Sequence, residues 1–124
     1  MNVVLWVVTG LLVLVFVIAG MMKLLQPKKA LVSAGMAWAE DFPPAVIKGI
    51  GVLEVSAALG LLLPATLAVA PVLTPLAALG LALIMVGAIV VHARRREFPT
   101  IVVNLVLLVL AAVVAWGRFG PYGF

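Results

Sequence analysis

Between residues 49 and 91 the chain carries one charged side chain, Glu54. As a single helix at 1.5 Å per residue this run would be roughly 65 Å long, about twice the hydrocarbon thickness of a bilayer. It must fold back on itself, and it must do so in lipid. The 124-residue chain is 67% hydrophobic and 10% charged, more apolar surface than a soluble domain of this length can hide in a core. Pro64, Pro71 and Pro75 supply the break, because proline lacks the backbone donor and restricts the residue before it. The spacing predicts helices over about 45–63 and 72–92, joined by a turn without charge.

Two further apolar runs complete the architecture. Residues 3–25 are interrupted only by Thr9 and Lys23, and residues 98–116 follow a tight basic turn, Arg94–Arg95–Arg96–Glu97. The expectation is an all-α, integral membrane four-helix bundle, one domain over 1–124, with no room for a soluble module. No Lys or Arg precedes Val3 to form the basic start of a signal peptide, so the first helix is expected to be retained. The most polar stretch is 26–44, where Leu31, Ala34, Trp38 and Phe42 recur at helical spacing and predict a short amphipathic helix in the interface.

The net charge of +4 matters through its placement. Lys23, Lys28, Lys29, Lys48, Arg94, Arg95 and Arg96 lie on or beside the first and third loops, and only Arg118 lies opposite. The positive-inside bias puts those loops in the cytoplasm and both termini outside. Arg94, Arg95 and Arg96 read as a membrane-surface anchor in contact with anionic lipid, and nucleic acid is not an expected partner. Trp6 and Trp116 fall near the outer interface and Trp38 near the inner one, where amphipathic rings settle.

Four polar side chains interrupt the apolar runs: Lys23, Glu54, His92 and Asn104. Lys23 and His92 end helices that arrive at the basic face, while Glu54 and Asn104 lie roughly 9–14 Å inside helices that leave it. Small residues flank each at helical spacing, including Gly20 behind Lys23 and Gly51 before Glu54, which marks surfaces where helices approach closely. A lone carboxylate at that depth needs a partner, and Lys23 is the best by sign and level, with Asn104 and His92 as neutral hydrogen-bonding groups nearby. Three readings of this cluster stay open: a buried ion pair that only fixes helix register, a site that binds a proton or anchors a ligand, and a water-filled crevice without a role. His92, two residues before the arginines, also reads as a helix-end cap. With one His and no Cys a closed structural zinc site is excluded, and no nucleophile–base constellation assigns catalytic residues.

The segments AGMMKL (19–24), GVLEVSAALGLLLP (51–64), LTPLAALGLALIMVGAIVVHARRREFP (73–99) and NLVLLVLAAVVAWGRF (104–119) resemble the DoxX-like family of small four-helix membrane proteins. The resemblance covers nearly the whole chain, and its distinctive part is the Lys, Glu, His and Asn standing in the family's own helices. It implies a multi-pass protein of the bacterial cytoplasmic membrane, in a family most of whose members have no assigned activity. The family's namesake is similar to a small membrane subunit of a thiosulfate:quinone oxidoreductase, and other relatives look like partners of soluble redox enzymes. The leading expectation is a non-catalytic membrane subunit or scaffold that binds a partner protein or a hydrophobic ligand, a quinone or a lipid, through the polar cluster. The competing expectations are a proton-coupled carrier acting as a homo-oligomer and, third, a lipid- or isoprenoid-modifying enzyme using Glu54 and His92.

Overall fold

The computed structural model describes residues 2–123. Its elements are α1 (Asn2–Leu25), α2 (Lys28–Ser33), a 3₁₀ turn (Ala37–Asp41), α3 (Pro44–Leu67), α4 (Leu73–Arg94) and α5 (Phe98–Phe119). Four of these, α1, α3, α4 and α5, are long and apolar enough to cross a membrane. Their outward faces carry large apolar side chains: Leu83 is 65% exposed, Val102 61% and Leu53 58%. A soluble bundle would place polar groups there, and the buried interior instead holds Lys23, Glu54, His92, Asn104 and Arg118. The chain is an all-α membrane bundle, with a basic end at the α1–α3 and α4–α5 connections and a second end holding both termini.

The helices associate as two pairs, α1 with α3 and α4 with α5. Gly20 and Gly51 set the first pair. A Cβ on Gly20 would lie 2.9 Å from the Gly51 carbonyl oxygen and 2.6 Å from a Val55 methyl, so only hydrogen fits at this crossing. The pairs are joined at the termini end. Leu5 packs onto Gly117 across the α1–α5 seam, and Thr74 reaches across the α3–α4 seam. Leu12, Phe16, Ala58, Leu61, Leu81, Ala111 and Val114 fill the core between them.

Pro64 does not end α3, as the proline spacing predicts; the helix runs on to Leu67. Pro64 has no N–H for the Gly60 carbonyl one turn back, and the Thr74 hydroxyl approaches that carbonyl at 3.4 Å and the Leu61 carbonyl at 3.3 Å. A donor from α4 thus stands in for the missing amide, and in a lipid environment no water could. The helix ends at Ala68, which turns left-handed at φ 55° while Val69 N–H bonds the Pro64 carbonyl.

The 26–44 stretch also departs from expectation. Instead of one amphipathic helix there are two short pieces, because Gly35 adopts φ 103° and closes α2 with bonds from Met36 N–H to the Leu31 carbonyl and from Gly35 N–H to the Val32 carbonyl. This is the left-handed helix stop that glycine makes without a steric penalty. Ala34, expected on the buried stripe, is exposed; Ala39 is buried in its place with Leu31 and Ile47. Met36, Trp38 and Phe42 pack against that small cluster, seating the loop on the basic end of the bundle.

Candidate functional site

The Gly20–Gly51 crossing places Lys23 three residues beyond one glycine and Glu54 three beyond the other. In an antiparallel pair these positions move apart along the axis, yet each side chain leans toward its own helix N-terminus, and so the two lean toward one another. Lys23 Nζ donates to Glu54 Oε1 at 2.5 Å, with the side chains only 9% and 3% exposed. The partner that the sequence assigns to Glu54 is the partner the structure gives it. Trp38 from the loop stands over the same ammonium, 5.7 Å from its ring centroid.

His92 ends up elsewhere. Its Nδ1 lies 2.8 Å from Glu97 Oε1, and its ring meets Trp38 edge to face at 6.5 Å between centroids. Glu97 is brought there by the way α4 stops. Arg96 turns left-handed at φ 56°, Arg96 N–H bonds the Ala93 carbonyl, and Glu97 N–H folds back 2.9 Å from the His92 carbonyl. The basic turn is thereby split: Arg94 and Arg96 face outward, while Arg95 reaches Asp41 of the loop at 2.5 Å and Glu97 at 3.5 Å. The bond to Asp41 raises the Arg95 pKa above its ordinary value, so this guanidinium stays charged. Of the three arginines expected to form a membrane-surface anchor, two are exposed and one is engaged with acids.

Asn104 sits on α5, 8% exposed, and its Nδ2 has no hydrogen-bond partner among the described residues. Neither Asn104 nor His92 bonds Glu54. The four sequence-predicted residues are thus not one hydrogen-bonded network. They line one cavity of about 550 Å³, enclosed by all four long helices and floored by Met36, Trp38 and Phe42. Most of its wall is aliphatic, with Phe16, Ile84 and Leu107 among the contributors, and Val15, Leu53 and Val103 belong both to the wall and to the exposed helix surface. The cavity therefore opens sideways, toward lipid.

The matched family model decides kinship. A model of the DoxX-like family matches residues 7–114, most of the chain and every one of Lys23, Glu54, His92 and Asn104. This chain belongs to the DoxX-like family. No curated protein and no solved structure matches it. Within this DoxX-like bundle, sequence reasoning missed Glu97 and Trp38 as site residues. Glu97 was readable only as part of a basic turn; the signal it offers is its place next to Arg96, three residues past the last residue of a helix whose end no glycine marks.

A second polar centre at the termini end also escaped the sequence. Arg118, expected simply as the lone basic residue opposite, is 5% exposed. It donates to Asn2 Oδ1 at 2.6 Å and to the Tyr122 carbonyl at 2.9 Å, and its guanidinium lies 5.4 Å from the Trp6 ring centroid. These contacts tie both chain ends together.

Proposed function

We propose that this DoxX-like protein is a non-catalytic membrane subunit that holds a lipid-soluble ligand in the cavity between its helix pairs. The observation that carries the reading is Asn104. A nine-tenths-buried Asn104 whose amide nitrogen has no partner among the described residues lies in the wall of a cavity that is mostly apolar and that opens toward lipid. Ligand pockets have this composition: mostly apolar walls, with a few polar groups that fix orientation. The charges around it are partnered, Lys23 with Glu54 and Glu97 with Arg95, so an apolar guest with one polar group fits better than a charged one. A quinone or a membrane lipid has that character. The DoxX-like kinship supports a bacterial cytoplasmic membrane location, and the distribution of basic residues supports an orientation with the basic end in the cytoplasm, where the exposed loop would also meet a soluble redox partner.

Mild-detergent purification followed by mass spectrometry of extracted lipids and co-purifying proteins tests this. The wild type should retain a lipid-soluble compound in near-stoichiometric amount, and Asn104→Leu, which fills the same space without the amide, should retain roughly tenfold less. A protein that purifies with a soluble partner and no retained small molecule would replace the ligand reading with a docking scaffold.

A further inference from the structure

A second hollow, of about 380 Å³, lies where α1 ends and α2 and α3 begin. Lys23, Lys28 and Lys48 line it, one from each helix, together with Gln26, and among the described residues no carboxylate does. Of the four acids at this end, Glu54 pairs with Lys23 on the cavity side, Glu97 with His92 and Asp41 with Arg95, while Glu40 on the 3₁₀ turn is exposed and lies outside the lining of the hollow. Lys48 Nζ spends one N–H on the Leu24 carbonyl at the close of α1, 2.9 Å away, which holds the side chain over the hollow and leaves the remaining N–H groups of its ammonium unspent. Lys28 makes no ion pair among the described residues.

The other walls are apolar. Leu31 and Ile47 form a fully buried base, while Leu25 on the rim is 72% exposed. Leu25 closes a 24-residue membrane helix, long enough to put this rim at the boundary between hydrocarbon and headgroups. Pro44, also in the lining, is the first residue of α3, a helix start with no side-chain cap and no acid in its first turn, so its dipole adds to the positive potential of the lysines. A concave cationic site whose lip is aliphatic and faces lipid matches one chemistry: an anionic headgroup attached to an acyl chain.

We propose that this hollow binds the phosphate of an anionic phospholipid, held by Lys28 and Lys48 above Lys23, with the chains leaving past Leu25. The site is separate from the cavity proposed to hold the apolar ligand, although Lys23 forms part of the wall of both. Its specificity would come from lysines on separate helices sharing one hollow. Lysines from separate helices line one hollow, whereas Arg94 and Arg96 belong to one turn and are exposed.

The test titrates purified full-length protein in neutral detergent with dioleoylphosphatidylglycerol, dioleoylphosphatidylcholine or glycerol-3-phosphate, reading thermal midpoint and lipids retained in native mass spectrometry. The wild type should retain a single phosphatidylglycerol and be stabilised by it, and not by phosphatidylcholine. Lys28→Gln with Lys48→Gln should weaken that binding on the order of 10- to 30-fold, two lysine contacts at the usual strength near a membrane surface. Arg94→Gln with Arg96→Gln removes the same charge and should change it less than about twofold. Lys28→Gln alone, which breaks no hydrogen bond of the fold, should weaken binding by about fivefold and serves if the double variant does not fold. Equal losses in the lysine and arginine variants, equal retention of phosphatidylcholine, or protection by glycerol-3-phosphate at the same concentration would each overturn the proposal.

Discussion

At the scale of single residues the bundle is organised by charges that have little water to fall back on. Lys23 and Glu54 are 2.5 Å apart and nearly inaccessible, so each is the other's main compensation for leaving solvent. Removing one strands the other, a loss of about 3–5 kcal/mol where both are fully buried. Glu54→Gln and Lys23→Met should each lower stability in detergent unfolding, and the double variant should recover much of the loss because no unpaired charge remains. Additive losses around the cycle would show that the pair contributes nothing as a pair. The cycle also separates two meanings of the pair. If it only fixes helix register, the double variant keeps whatever the protein binds; if the cavity uses it, folding returns without binding. Asn104 differs from both, since no group among the described residues compensates its buried amide nitrogen, and in the proposed function that unmet donor would orient a guest in the cavity.

Helix by helix, small residues and helix ends decide where the polar groups go. Gly10 and Gly20 lie in the same helix, but a Cβ at Gly10 meets nothing within 4 Å, whereas one at Gly20 runs into the α3 backbone. Gly10→Ala should stabilise by roughly 0.5–1 kcal/mol, the ordinary gain from removing a helical glycine. Gly20→Ala should instead cost about 1–3 kcal/mol, as α1 and α3 are pushed apart. The same displacement would pull Lys23 from Glu54, so Gly20→Ala should also blunt the response to Glu54→Gln; thermal unfolding of the single and combined variants reads both effects. If the two glycine substitutions behave alike, the close crossing is not what holds the pair in register. Helix ends act in a complementary way. Gly35 stops α2 and turns Trp38 under the cavity, and the left-handed Arg96 folds Glu97 back to His92. At α3 the end is displaced past Pro64 because Thr74 serves the carbonyl the proline abandons.

For the whole molecule, the two helix pairs meet firmly where the termini lie and enclose a cavity toward the basic end, with the loop as its floor. If the basic end faces the cytoplasm, as proposed from the lysines and arginines, a periplasm-active reporter fused after Phe124 should be active and a cytoplasm-active one silent; the opposite pattern would invert the bundle and place the lysine hollow in the other leaflet. Four membrane helices, their approximate ends, and the membership of Lys23, Glu54, His92 and Asn104 in one inner region were legible from the chain itself. They depend on local quantities: run length against bilayer thickness, proline and glycine, and rise per residue. The Lys23–Glu54 pairing was legible for the same reason, since sign and depth left few alternatives. What the chain could not reveal depends on which helix lies beside which, and by how much two backbones separate. Glu97 reaching His92, Thr74 answering for Pro64, Arg118 buried between the chain ends, and three lysines from separate helices around one hollow are all contacts between residues whose sequence neighbours give no hint of them. Burial in a bundle is a property of packed helix pairs, and only the tertiary structure fixes where those pairs close and where they leave space.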